Sequence, residues 1–247
     1  MSEKNLVRLQ KVIAQAGVAS RRQAEQLILD RLVSVNGEIV SELGIRVGAE
    51  DRIMVRGKEI SPVPLVYLML NKPRGFVCSN DRHSKFPSFL DLIPKVWQSV
   101  HHVGRLDVAS DGLLLATTDG ALTQIVTHPS FEVPKFYEVS VRGEVNESVI
   151  KGCLDGVTVD GEYLRFQELR NDGSHHGLTK LFIRLIGGKN REIRRLLNVF
   201  DLGVSRLTRI GVGELVLGNL DSGKWRELSV KERASLFAFK GSSREAK

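Results

Sequence analysis

Hydrophobic residues near the start of the chain recur at helical spacing. The positions that form one apolar face are Leu9, Val12, Ile13 and Ala16. Residues three or four apart share a helix face, so a short helix is predicted, and Gly17 suits its end. Ser20 and Gln23 have the spacing of a capping box, which predicts that a second helix begins after Ser20.

The pattern then changes to the two-residue period of strands. Residues 33–35 and 38–40 flank Asn36-Gly37, the preferred sequence of a two-residue hairpin turn. Residues 52–56 alternate in the same way and predict a further strand. Residues 8–60 are therefore interpreted as a small α/β module, and residues 61–64 (SPVP) as a stiff junction.

Short β patterns dominate from residue 65 onward. Strands are predicted at 65–70, 112–117, 137–141, 156–159, 164–169, 178–186 and 213–217, and helices at 123–127, 147–154 and 191–200. This mixture predicts an α+β domain over residues 65–236, built on a mostly antiparallel mixed sheet. The polar residues 237–247 predict a disordered basic tail.

Charge indicates the type of partner. The chain has 247 residues and a net charge of +7. Between residues 180 and 209, eight Lys or Arg residues stand against two acidic ones. A basic balance favours a polyanionic partner, because phosphate contacts release counterions. No apolar run has membrane length, and the first residues lack a signal core, so a cytoplasmic protein is expected without membrane contact.

The most informative segment is residues 104–115 (GRLDVASDGLLL). Asp107 follows Arg105 closely and precedes an Asp-Gly turn, so one carboxylate is expected on a constrained loop beside a guanidinium. This arrangement suits a nucleophilic or basic aspartate. The residues alone equally allow two tight turns around a buried strand, with Asp107 only capping a turn.

The segment resembles the catalytic motif of RNA pseudouridine synthases of the RsuA and RluB branch. Four further segments match in order: 70–75 (LNKPRG), 135–139 (KFYEV), 188–195 (GKNREIRR) and 205–209 (SRLTR). Residues 8–60 resemble the alpha-L RNA-binding module of ribosomal protein S-four. The resemblance implies an isomerase that acts on ribosomal RNA without metal or cofactor.

The resemblance also implies a catalytic set. Asp107 is the nucleophile or base, and Arg194 is the cation that pairs with it, with Arg195 as the alternative partner. Tyr137 is expected to stack on the flipped base and to assist proton transfer. Leu207 is expected to line the uracil pocket, although a core position is an equally good interpretation. Asp111 and Asp119 are interpreted as structural.

RNA contacts are expected from basic residues in both parts of the chain. In the first module, the free N–H groups at a helix start favour phosphate, and two arginines lie beside them. Arg105 is expected to fill the space left by the flipped uridine or to hold the displaced strand. The predicted RNA-binding residues are Lys11, Ser20, Arg21, Arg22, Arg31, Lys72, Arg74, Arg105, Lys189, Arg191 and Arg195.

Several functions remain open from the sequence. Residues 190–194 (NREIR) resemble the enzymes of large-subunit rRNA, so a 23S-type target and a monomeric enzyme are expected. The alternatives are a 16S-type small-subunit enzyme and a non-catalytic ribosome-assembly protein. A glycosidase is disfavoured, because it usually needs two carboxylates that flank the bond. The histidines and the two cysteines lack metal-ligand spacing.

Overall fold

The structure is a computed structural model that describes residues 6–61, 63–80 and 84–240. The chain divides into two compact units between Leu65 and Val66. The predicted tail lies mostly outside the described residues, but its predicted start at residue 237 is wrong. Phe237 ends the last helix, and Phe239 packs against a hydrophobic cluster.

The first unit places two helices on small antiparallel sheets. Its elements are β1 (Val7–Arg8), α1 (Leu9–Gln15), α2 (Arg21–Leu29), β2 (Val33–Val35), β3 (Glu38–Val40), β4 (Arg46–Val47), β5 (Ile53–Val55) and β6 (Lys58–Glu59). The apolar face of the helices packs on the strands, with Leu9, Ile13 and Ala24 fully buried.

Local predictions for this unit are confirmed. Ser20 accepts the Gln23 N–H at 3.3 Å, and the Gln23 side chain accepts the Ser20 N–H at 2.9 Å. The capping box therefore fixes the start of α2. The hairpin is confirmed as well, because Val35 pairs with Glu38 across Asn36-Gly37. Both turn residues have the positive φ that this hairpin turn requires.

The second unit is built on one large mixed sheet. The strands of the unit are β7 (Tyr67–Lys72), β8 (His101–Val103), β9 (Asp111–Thr117), β10 (Pro134–Arg142), β11 (Val157–Val159), β12 (Glu162–Leu164), β13 (Glu168–His175), β14 (Leu178–Ile186), β15 (Gly203–Val212), β16 (Leu215–Val216) and β17 (Trp225–Glu227). Of these, β11 and β12 form a separate two-stranded antiparallel sheet. The main order is β13-β14-β10-β15-β9-β7-β17, and β15 and β9 form a parallel pair in this otherwise antiparallel path.

Helices cover the two faces of this sheet. They are α3 (Gly120–Thr127), α4 (Glu147–Asp155), α5 (Glu192–Val199) and α6 (Val230–Phe237). Leu68 and Leu70 pack in the cluster that contains α4 and α5, while Met69 packs with α3 and α6. Successive residues of a strand point to opposite faces, so β7 contributes to both clusters.

Two predicted strands are corrected. The predicted strand over 164–169 is divided, because β12 ends at Leu164 and β13 begins at Glu168. Between them the backbone leaves the ladder, and the Phe166 N–H donates to the Cys153 carbonyl at 3.0 Å. The predicted strand over 213–217 is reduced to β16. Gly213 turns the chain with a φ of 58°, and β16 pairs back on β15.

Candidate active site

Asp107 lies on a loop that is fixed from several sides. The loop joins β8 to β9, and the Ser110 N–H donates to the Asp107 carbonyl at 3.0 Å. The neighbouring Leu106 is buried, and its N–H donates to Cys78 Sγ at 3.4 Å. Gly75 N–H donates to the Val108 carbonyl at 2.8 Å. These bonds fix the loop that carries the carboxylate, just before the start of β9.

The cation that pairs with Asp107 is Arg191. Its Nη1 lies 3.4 Å from Asp107 Oδ2. The predicted ion pair with Arg194 is therefore corrected for this structure. The Arg194 guanidinium instead donates to the carbonyls of Val204 at 3.1 Å and Ala109 at 3.3 Å. Arg194 thus ties the end of the loop that carries Asp107 to β15, and its role as the site cation stays a prediction.

Electrostatics still couples Arg194 to Asp107. Burial lowers the pKa of Arg194 below its usual value, and the nearby charge of Arg191 lowers it further. The Asp107 carboxylate opposes this lowering. The alternative partner, Arg195, is engaged elsewhere, since its guanidinium binds Glu162 and lies 3.2 Å from Asp160. Its predicted RNA contact must therefore compete with these carboxylates.

Tyr137, Leu207 and Asp107 all line one cavity. The cavity has a volume of about 290 Å³. Tyr137 on β10 pairs in register with Arg209 on β15. Tyr137 and Leu207 are each 7% exposed. Both are also part of the hydrophobic core, and the contact of Leu207 with uracil stays a prediction.

Two buried cations that the sequence analysis did not single out also line this cavity. Lys135 on β10 is 8% exposed, and Arg209 on β15 is 3% exposed. The signal was present in the strand period, because residues 135 and 137, like 207 and 209, share a face. The two-residue period of the strands does not show which of their faces lines the cavity.

Asp111 and Asp119 have the structural roles expected of them. Asp111 accepts the Thr208 hydroxyl and forms ion pairs with Arg74 at 3.4 Å and Arg206 at 3.2 Å. Asp119 caps α3 and accepts the Tyr67 hydroxyl at 2.9 Å. Burial, together with this carboxylate, raises the pKa of Tyr67 to about 12.

The structure overturns the predicted RNA contact of Lys72. Lys72 is fully buried, and its Nζ donates to the carbonyls of Pro73 at 2.8 Å and Phe76 at 3.0 Å. Burial lowers the pKa of this ammonium, and a fully buried side chain has no surface to offer to RNA in this structure. Arg74 is exposed but already binds Asp111 and the Ser205 carbonyl.

The other predicted RNA-binding residues are accessible. Around the cavity, Arg105 is exposed, and Lys189 is exposed with its Nζ on the Tyr163 carbonyl at 2.7 Å. In the first unit, Ser20, Arg21 and Arg22 lie at the start of α2, Arg31 follows its end, and Lys11 lies in α1. Those that are exposed there are Ser20, Arg21, Arg22 and Arg31, whereas Lys11 is half-buried.

Two further properties concern only the described residues. No group of three or more His, Cys, Asp or Glu side chains among them could hold a metal ion. His101 binds the Thr123 hydroxyl, and His102 binds the Gly104 carbonyl. None of the helices in the described part of the chain is long and apolar enough to cross a membrane.

Comparison with known proteins gives the family. The profile of the RNA pseudouridylate synthase family matches residues 66–199, and the S4 domain profile matches residues 7–53. A solved structure described as a pseudouridylate synthase superposes with a TM-score of 0.67 at 29% identity, covering 93% of this chain and 99% of that one. The chain therefore belongs to the RNA pseudouridine synthase family, in its RsuA and RluB branch, and is an isomerase.

Three curated relatives cover most of this chain. An uncharacterized RNA pseudouridine synthase of Aquifex aeolicus is 38% identical over 94% of both chains. Ribosomal large subunit pseudouridine synthase B of Bacillus subtilis is 34% identical over 91% of this chain and 93% of the relative. The protein of that name from Pseudomonas aeruginosa is 38% identical, over 91% of this chain but 60% of the longer relative.

Proposed function

We propose that the protein converts one uridine of ribosomal RNA, in the large subunit by preference, into pseudouridine at the cavity beside Asp107. Two relatives are named for the large ribosomal subunit, and residues 190–194 resemble those enzymes. The observation that carries the proposal is the fixed loop that presents Asp107 at a cavity walled by Tyr137.

The chemistry requires one ionised carboxylate. The bond between N1 and C1′ of the uridine breaks, and a bond between C5 and C1′ forms. The proton on C5 leaves, and N1 gains one, so the change is an isomerisation. Asp107 either attacks C1′ or removes a proton from the sugar. In both routes the carboxylate lies beside positive charge, because Arg191 forms an ion pair with it and Arg194 is nearby.

The uridine must leave its stack to reach this cavity. Arg105 is exposed on the catalytic loop and is suited to fill the vacated space. Tyr137 offers its ring to the base, and Leu207 provides an apolar wall. The exposed arginines of the first unit bind RNA phosphates and contribute affinity, not chemistry. We expect the protein to act as a cytoplasmic monomer on rRNA or an assembly intermediate.

Mapping of pseudouridines in rRNA tests the proposal. We expect a strain that lacks the gene to lose one pseudouridine in large-subunit rRNA. Wild-type protein should restore it, and Asp107→Asn should not, because the amide cannot act as nucleophile or base. Asp172→Asn, at an exposed position of β13, is the matched control.

The same experiment separates the alternatives. Loss of a small-subunit pseudouridine would move the target to 16S-type rRNA. If no pseudouridine is lost and Asp107→Asn rescues a defect in ribosome assembly, the non-catalytic function is correct. Purified Asp107→Asn protein should still bind the target RNA with affinity close to that of the wild type.

A further inference from the structure

Lys135 and Arg209 form a pair of buried positive charges at the cavity. The Lys135 Nζ donates to the Val133 carbonyl at 3.0 Å. The Arg209 guanidinium donates to the carbonyls of Leu113 at 2.7 Å and Arg105 at 3.4 Å. Within the described part of the chain, no carboxylate forms an ion pair with either side chain.

Such an arrangement is costly for folding. A buried charge is usually paired with an opposite charge or loses its proton. Here burial, and then the charge of Arg209, lowers the pKa of Lys135 to about 8, while Glu192 partly opposes the shift. The ammonium is therefore still charged near neutral pH, although two buried cations repel each other. Perturbed groups of this kind in a cavity are candidates for function.

Lys135 and Arg209 differ in how firmly the backbone holds them and in the N–H donors that they can offer to a ligand. Arg209 is held by two backbone carbonyls, which fix its plane. Lys135 has three N–H donors, and the bond to Val133 uses one of them. Lys135 and Tyr137 alternate onto the same face of β10, toward the cavity that contains Asp107. The remaining N–H donors of Lys135 are therefore available in the cavity where the uracil would bind.

The reaction creates a need for such a group. When the bond between N1 and C1′ breaks, the electron pair stays with the uracil, whether Asp107 attacks C1′ or removes a sugar proton. The negative charge spreads over N1 and the two carbonyl oxygens until C5 bonds to C1′. A fixed cation in a site without water stabilises such developing charge strongly. Asp107 cannot supply this, because it carries the same sign of charge.

We propose that Lys135 is a catalytic residue whose ammonium binds a carbonyl oxygen of the detached uracil and stabilises its negative charge. Arg209 adds a fixed positive potential next to it. The inference rests on the proposed reaction at this cavity and adds a role that the catalytic set of Asp107, Tyr137 and Arg194 does not include. The uracil anion is then the missing partner of the buried ammonium.

Two substitutions at residue 135 test the role. Lys135→Met keeps the length of the side chain and removes its charge, and Lys135→Arg keeps a charge that does not titrate near neutral pH. Lys151→Met, on the exposed face of α4, is the matched control. Release of tritium from C5 of the target uridine is followed in single turnovers at saturating enzyme, between about pH 6 and 10. RNA affinity is measured with the same proteins.

We expect Lys135→Met to slow the single turnover roughly 100-fold at neutral pH, the usual effect of removing one such donor. Its RNA affinity should change less than about threefold, and Lys151→Met should match the wild type. The wild-type rate should fall above about pH 8 as the ammonium of Lys135 loses its proton. In Lys135→Arg this fall should move to higher pH, a shift that a purely structural lysine would not produce.

Two results would overturn the inference. One is a Lys135→Met rate within about threefold of the wild type; the other is a fall at unchanged pH in Lys135→Arg. If Lys135→Met does not fold, the pH profile of Lys135→Arg decides. The proposed reaction fails separately, because in that case wild-type protein releases no tritium from any rRNA target.

Discussion

The guanidinium of Arg191 reaches Asp107 at 3.4 Å, although the two residues lie 84 positions apart. Arg191 immediately precedes α5 and adopts a left-handed backbone conformation, with a φ of 47°, that is uncommon for a residue with a side chain. The side chains of Arg191 and Asp107 are 50% and 35% exposed. An ion pair this open to water is weak, so an incoming RNA can replace it at small cost.

A pair of alanine variants separates the two arginines near Asp107. We expect Arg194→Ala to lower the single-turnover rate by about 100-fold or more, because the loop that carries Asp107 loses its tie to β15 and a positive charge near Asp107 is removed. Arg191→Ala should mainly weaken RNA binding, since an exposed pair contributes about 1 kcal/mol or less. Rates at saturating enzyme and affinities are measured for both. A normal rate for Arg194→Ala would assign the cation to Arg191.

The start of α2 is predicted to bind RNA phosphate. Arg21 and Arg22 are exposed beside the capped helix start, so Arg21→Ala with Arg22→Ala should weaken binding. The slope of log affinity against log salt should fall by about one for each lost phosphate contact, or somewhat less. Arg52→Ala is the control, because Arg52 pairs with Glu59 at 2.8 Å. An unchanged slope in the double variant would exclude this contact.

Gly112 permits the close pairing of β9 with β15. It has a φ of 104°, and a Cβ there would lie 2.3 Å from the Arg209 carbonyl oxygen. Because that oxygen is backbone, Gly112→Ala should push β15 away and cost about 3 kcal/mol or more of unfolding free energy. Gly218→Ala is the control, since its φ is 58° and its Cβ would meet open space.

Thermal or urea unfolding of the full chain measures both glycine variants. The control should lose only the cost of a left-handed residue, about 1–2 kcal/mol. Gly112→Ala should also lose activity, because β15 carries Leu207 and Arg209 to the cavity. Equal losses of stability in the two variants would show that the strands tolerate the added methyl group.

Glu232 should stabilise the last helix in a pH-dependent way. Its carboxylate accepts bonds from Arg226 at 2.6 and 2.8 Å and from the Ser229 N–H at 2.8 Å. The bonds from Arg226, followed by those from Ser229, lower the pKa of Glu232 to about 2 against a burial effect in the opposite direction. Because the pKa of Glu232 is lower in the folded state than its usual value of 4.5, the carboxylate stabilises the fold fully at pH values above 4.5. This stabilisation is lost as the pH falls toward 2.

We therefore expect Glu232→Gln to lower the free energy of unfolding by about 1 kcal/mol at neutral pH. The difference from wild type should shrink between pH 4.5 and about 2, where the wild-type carboxyl also becomes neutral. Glu227→Gln, an exposed neighbour on β17, is the control. Urea unfolding across this pH range measures the effect, and a difference that does not change with pH would contradict the assigned cause.

The sequence by itself determined the local elements of the protein. The capping box at Ser20, the hairpin at Asn36-Gly37 and β14 follow from contacts within a few residues along the chain, where spacing defines which side chains meet. The order of motifs also determined the family and made Asp107 the central residue. The long β15 was not predicted, because Arg206 and Arg209 interrupt its apolar pattern.

Only the tertiary structure decided which charges meet. The parallel pairing of β9 with β15 and the left-handed turn at Arg191 bring distant segments together, and neither is encoded by local spacing. Arg191, and not Arg194, therefore forms the ion pair with Asp107, and the pairing of β10 with β15 places Lys135 at the cavity. Burial depends on every element that packs around a side chain. Lys72, which the sequence presents as a surface cation, is therefore fully buried and binds the carbonyls of Pro73 and Phe76.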